Sequence, residues 1–114
     1  MQNIFKILDS VLYRQALAAG RFQGAEIDLK DGFIHFSSAA QVRETARLHF
    51  AERQGLTIFA VTAESLGDGL KWEPSRGGQF FPHLYGALDM KLVLWAKPLV
   101  WNGGAHDFPP ETIQ

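Results

Sequence analysis

The chain has 114 residues, 46% of them apolar and 20% charged, with a formal net charge of -1 and no cysteine. That composition fits one folded domain and excludes a disordered chain, a disulfide scaffold, a thiolate metal centre and a cysteine nucleophile. The near-neutral charge offers no electrostatic hold on nucleic acid or an anionic membrane, and no apolar run approaches the ~20 residues that span a bilayer.

The first residues, MQNIFKILDSVLY, are interrupted by Lys6 and Asp9 and lead to no small-residue cleavage site, so they do not read as a signal peptide. A soluble, cytoplasmic protein is expected. Asn3 to Leu8 predicts a strand, with Ile4, Lys6 and Leu8 on one face. Asp9 or Ser10 can cap a helix that runs to Ala19 and stops at Gly20. Arg21 to Lys30 has no clear period and predicts a loop, closed by an Asp31-Gly32 turn. Gly32 to Phe36 predicts a short strand that puts Phe33, His35 and Ser37 on one face. Ser38 and Gln41 have capping-box spacing for a helix reaching Gln54, whose apolar stripe is Val42, Thr45, Ala46, His49 and Phe50.

Leu56 to Thr62 is apolar on both faces, as a covered central strand is. Ala63 to Gly69 predicts a turn and Leu70 to Glu73 a short strand ended by Pro74. Ser75 to Gln79 predicts a flexible loop, Lys91 to Lys97 a second buried strand, and Trp101 to Ile113 an irregular tail. Strands outnumber helices without regular alternation. The expected fold is therefore α+β, one compact domain over residues 1–114, with a split or mixed β-sheet and two main helices.

Two segments concentrate the residues that do chemistry. In the first, His35 stands at a strand end beside Ser37 and just before a helix start, where free N–H groups can bind an anion. The plainer reading of His35 is a buried ring satisfied by backbone groups, and that of Ser37 or Ser38 is a helix cap. In the second, His83 is framed by Phe81, Pro82, Tyr85 and Gly86, with aromatic faces on which a planar ring can stack. Its plainer reading is an apolar plug with one polar rim residue.

Glu73 lies between Trp72 and Pro74, and a desolvating aromatic neighbour would raise its pKa toward acid–base work; a surface glutamate is the simpler reading. His49, on the apolar helix face, is expected in the core, and His106 is expected in solvent. The histidines lack HxxxH or HxH spacing, and there is no G-x-S-x-G elbow and no glycine-rich phosphate loop.

DGFIHFS at Asp31–Ser37, Gln41, the Trp72–Pro74 WEP, FPHLYG at Phe81–Gly86 and a late Phe108-Pro109 together resemble the DUF952 family, over nearly the whole chain from Ile4 to about Pro109. The resemblance implies an ADP-ribosyltransferase-like fold, a split sheet holding NAD in a cleft. It implies that His35 contacts a ribose and that Glu73 is a candidate for the acidic role. The family carries a histidine in its first strand where this chain has Lys6, and commonly a cysteine where it has Phe36. A lysine there could still contact phosphate.

The expected function is binding of an NAD or ADP-ribose-type small molecule, with ADP-ribosyl or phosphate transfer as the chemistry. His35, Glu73 and His83 are the candidate catalytic residues. Lys6, Ser37, Gln41, Phe81 and Tyr85 are the candidate ligand contacts. NAD is the candidate ligand or substrate. No metal site, nucleic-acid partner or membrane partner is expected, and the oligomeric state stays open. The alternatives are a non-catalytic module that keeps the cleft, and a metal-assisted hydrolase using His35 and His83.

Overall fold

The computed structural model describes residues 1–113. Strand β1 (Asn3–Asp9) and strand β5 (Leu56–Thr62) pair antiparallel along their whole length, from Asn3 opposite Thr62 to Asp9 opposite Leu56. Both are buried on both faces because helices cover each side, and they are apolar there except at Lys6 of β1 and Thr57 of β5. Helix α1 (Ser10–Ala19) packs over Ile4, Leu8, Phe59 and Val61. Helix α3 (Ala39–His49) places Val42 and Ala46 against Phe5, Ile7, Ile58 and Ala60. The alternating side chains of the central strands thus feed two separate cores.

Strands β2 (Arg21–Phe22), β3 (Ile34–His35), β4 (Ser37–Ser38), β6 (Leu70–Pro74), β7 (Phe80–Leu84), β8 (Leu88–Asp89), β9 (Trp95–Trp101) and β10 (His106–Asp107) complete three sheets, and helix α2 (Glu26–Asp31) lies between β2 and β3. The large sheet has the order β10-β9-β5-β1-β4, a second sheet the order β3-β7-β6, and β2 pairs with β8. Every ladder is antiparallel. The fold is α+β with a split sheet and two main helices; the sheets are not mixed.

The strand predicted over Gly32–Phe36 is realised as the two residues of β3, and a second two-residue strand, β4, follows it in a different sheet. β3 joins the small sheet and β4 the large one, and Phe36 is the crossing point, its N–H donating to Pro82 O at 3.0 Å. Because β4 is two residues long and pairs only with Ile4 and Phe5, the edge of β1 from Lys6 onward has no strand beside it. A cleft opens there between the sheets.

Four other expectations change. Arg21–Lys30 contains β2 and most of α2 instead of a loop. Helix α3 stops at His49, short of Gln54, and His49 is exposed because it is the helix's last residue, beyond the packed face. The strand predicted from Lys91 begins at Trp95, since Asp89 accepts from Lys91 N at 2.9 Å and caps a one-turn helix over Met90–Leu92. The tail carries β10, and His106 is buried with Nε2 3.0 Å from Arg53 O.

Candidate functional site

His35 and His83 come from segments 48 positions apart yet face each other directly across the β3–β7 ladder. Their ring centroids are 5.4 Å apart. Period-two alternation explains the rest of the cluster. Phe33 shares the His35 face, and its ring stacks on His83 with centroids 4.0 Å apart. Phe81 and Tyr85 share the His83 face, and the Tyr85 ring lies 5.3 Å from Phe33.

Each histidine leans on a carboxylate. His83 Nδ1 is 2.8 Å from Glu73 Oε1, and the Tyr85 hydroxyl donates to that same oxygen at 2.8 Å. Glu73 is held below the usual carboxylate range by the hydrogen bonds from His83 and Tyr85. That reverses the upward push expected from Trp72. Neighbouring residues of a strand face opposite ways, so the indole turns away from the carboxylate. The Tyr85 hydroxyl is raised above its ordinary value, first by its hydrogen bond to Glu73.

His35 has its Nδ1 2.6 Å from Asp28 Oδ1 and its Nε2 3.0 Å from Asp31 Oδ2. Asp28 is the hub of this arm. Its side chain is fully buried and receives Lys6 Nζ at 3.0 and 2.9 Å, Ala25 N at 2.8 Å and His35 N at 3.1 Å. Burial pushes the Asp28 carboxyl up, but the His35 hydrogen bond, the Lys6 charge and hydrogen bond and the Ala25 N–H outweigh it and hold the group at about 2. Burial pushes the Lys6 ammonium below the usual lysine value, opposed by the charge and hydrogen bond of Asp28.

Local backbone aims these groups. The Ala25 N–H to Asp28 contact caps the first turn of α2. Gly32 ends the helix at φ 90°, donating to Asp28 O at 2.8 Å, and turns the chain into β3. A side chain at Gly24 would bring its Cβ within 2.8 Å of Asp28 Cβ at a φ of +125°.

The cleft holds about 970 Å³, and its lining includes Lys6, His35, Ser37, Phe81 and His83. Glu73, Tyr85 and Gln41 are not among its lining residues. Glu73 bonds to His83, and Tyr85 bonds to Glu73 and packs against Phe33, both from outside the wall. Gln41 accepts from Ser38 N at 3.0 Å and donates to Phe80 O at 2.8 Å, tying the start of α3 to β7. The helix start that looked open to an anion is therefore closed by its own side chain at Ser38. The Lys6 ammonium is committed to Asp28 rather than presented to the cleft.

On the α3 side, Ser37 Oγ lies 2.9 Å from Thr45 Oγ1, which itself donates to Gln41 O at 3.2 Å. Arg76 sits over the Phe81 ring at 4.8 Å and reaches Thr45 Oγ1 with both terminal nitrogens at 3.5 Å. His49 also lines this cleft.

Asp28, Asp31, Phe33, Thr45 and Arg76 are not among the candidate site residues drawn from the sequence. Phe33 was legible from the alternation that selects His35. Asp28 had a faint signal, an acid three residues after Ala25 at a helix start. Among the described residues, no group of three histidine, aspartate or glutamate side chains is placed to hold a metal. No helix among them is long and apolar enough to cross a membrane.

Residues 7–96 match the family model described as a protein of unknown function, DUF952. The match takes in the GFIHFS and FPHLYG segments and leaves out Lys6 and Phe108-Pro109, a narrower span than the motifs suggested. The crystal structure of protein CC0527 from Caulobacter crescentus is 44% identical over 92% of this chain and 93% of that chain, with a TM-score of 0.89. The solution NMR structure of the same protein is also 44% identical, over 93% and 91%, with a TM-score of 0.83. No curated protein matches the chain.

Proposed function

This chain belongs to the DUF952 family, and we propose that it binds a ribose-bearing ligand of the NAD or ADP-ribose class in the cleft between its sheets. One observation carries the reading: His35 and His83 line that cleft side by side, each anchored through Nδ1 to a carboxylate. A carboxylate can only accept, so His83 donates from Nδ1 and, in its neutral form, leaves Nε2 with a lone pair for a ribose hydroxyl. Phe81 adds an aromatic wall and Ser37 a hydroxyl. An ADP-ribosyltransferase-like arrangement is the architecture this reading uses.

As an ADP-ribosyl-transfer enzyme, the protein would break the C–N bond between ribose and nicotinamide. The electron pair leaves with nicotinamide, positive charge develops on the sugar, and water or another hydroxyl acceptor bonds to that carbon as it gives up its proton. His83 would take or return a proton at Nε2, and Glu73, which does not line the cleft, would act as its positioning residue. That same placement of Glu73 favours a second reading, a binding module without the chemistry. No carboxylate from the WEP segment stands on the wall to face a cationic sugar.

Calorimetric titration of the protein with NAD and ADP-ribose at millimolar concentration tests both. We expect binding of at least one, weakened by His83→Gln in a variant that melts like the parent. Absence of binding to either nucleotide would sink the proposal. With binding present, NMR detection of free nicotinamide separates the enzyme from the module.

A further inference from the structure

We infer that Arg76 is the anion-reading side chain of the cleft and takes a phosphoryl oxygen of the ligand, flanked by the Ser37–Thr45 hydroxyl pair. This rests on the nucleotide reading above and specifies the charge that the ligand must carry.

The cations of the cleft wall are not equivalent. Lys6 is neutralised by Asp28 and Arg53 by Asp9, the latter at 2.5 Å. Arg76 has no carboxylate partner among the described residues. Glu44 is near enough for Arg76 to lower its pKa slightly, but its two oxygens are taken by Arg47 at 2.6 and 2.7 Å. Of the acids of the wall, Asp31 meets His35 and Asp9 meets Arg53, while Glu26 on α2 has no ion-pair partner among the described residues.

Arg76 is nevertheless held in place. Its guanidinium lies over Phe81, which fixes its position while leaving its N–H edge available. Among the described residues that edge has one partner, the Thr45 hydroxyl oxygen, and both contacts are long, at 3.5 Å. A guanidinium has five N–H donors in a planar fork that matches two oxygens of a phosphoryl group. An incoming phosphoryl group would gain short, charge-assisted bonds where Thr45 supplies long ones. Ser37 and Thr45 could then turn their hydroxyl protons toward it, and His49, one turn along α3 from Thr45, borders the same space.

The test titrates the whole chain with inorganic pyrophosphate, ADP-ribose and adenosine, using the parent, Arg76→Gln and Thr45→Val. Losing hydrogen bonds to a charged group predicts that Arg76→Gln binds pyrophosphate and ADP-ribose about 10- to 100-fold more weakly. Adenosine, which has no phosphate, should be unaffected. Thr45→Val should weaken the two anions less than Arg76→Gln does. Anion affinity should also fall as salt is raised. An unchanged melting midpoint in Arg76→Gln shows that the loss is local.

If ADP-ribose binds equally well to parent and Arg76→Gln, the anion subsite is refuted while the nucleotide reading stands. If pyrophosphate binds through Arg76 but NAD and ADP-ribose do not, the subsite stands and the nucleotide reading fails. A parent that binds neither pyrophosphate nor ADP-ribose refutes both.

Discussion

Replacing Asp28 with alanine should be among the most damaging single changes to the small-sheet side of the molecule. Its carboxylate is sealed from solvent and receives Lys6 Nζ, Ala25 N, His35 N and His35 Nδ1. Removing it leaves the buried Lys6 ammonium without a counter-charge and two backbone N–H groups without an acceptor. Breaking a buried ion pair from one side costs about 3–5 kcal/mol. At roughly 4 °C per kcal/mol for a chain of this size, the melting midpoint should fall by about 12–20 °C. Lys6→Met is the informative partner. It removes the charge that needs compensation and leaves Asp28 with three N–H donors, so it should cost less, about 1–3 kcal/mol. Lys6→Met should also rescue part of the loss when added to Asp28→Ala, a coupling of about 0.5–3 kcal/mol. Urea unfolding of the parent, both single variants and the double variant measures all of these. If Asp28→Ala melts within about 4 °C of the parent, or if Lys6→Met costs more than Asp28→Ala, the buried-hub reasoning is wrong.

The same carboxylate should shape stability in acid. Its value of about 2 in the fold lies below the ordinary 3.8, so its contribution, about 2 kcal/mol, is complete above pH ~4 and is lost as pH falls toward ~2. Denaturant midpoints across that window should drop in the parent and drop less in Asp28→Ala. Gly24→Ala should destabilise by about 1–3 kcal/mol, because the new Cβ meets Asp28 at a φ of +125°; an unchanged midpoint would mean that the α2 entrance is not tightly packed. His49→Leu should change the unfolding free energy by no more than about 0.5 kcal/mol, because the side chain is exposed instead of lying in the core.

What could be read from the sequence follows the periods that side chains impose. β1, α1 and β5 emerge from apolar patterning and Gly20 because their buried faces are apolar in the ordinary way. The histidine pair was also legible, since Phe33-x-His35 and Phe81-x-His83-x-Tyr85 each alternate onto one face. α2 was not. It is six residues long, Ile27 and Leu29 point to solvent, and its one buried side chain is Asp28, so hydrophobic periodicity inverts there. Two other errors have turn chemistry behind them. Asp89 caps the short turn before β9, and Asn102 accepts from Gly104 N and Ala105 N, both at 2.9 Å, to close the β9–β10 hairpin and bury His106. The change of sheet at Phe36 is a long-range effect, set by which sheet offers a partner on each side of the crossing.

The two carboxylate–histidine arms are built alike but are not equally free to act. In the Asp28 arm both ring nitrogens of His35 already meet carboxylates, and the hub aspartate is matched by a buried lysine. A ligand that used His35 Nε2 would first have to displace Asp31, whose side chain is 38% exposed and able to swing away. In the Glu73 arm only Nδ1 of His83 is engaged within the protein among the described residues, and its carboxylate reaches solvent. The first arm therefore fixes the position of β3, while the second leaves Nε2 of the buried His83, a lining residue of the cleft, without a protein partner among the described residues. The two rings are cross-strand neighbours with centroids 5.4 Å apart, and Phe33 packs against both, so the two arms meet at one aromatic contact.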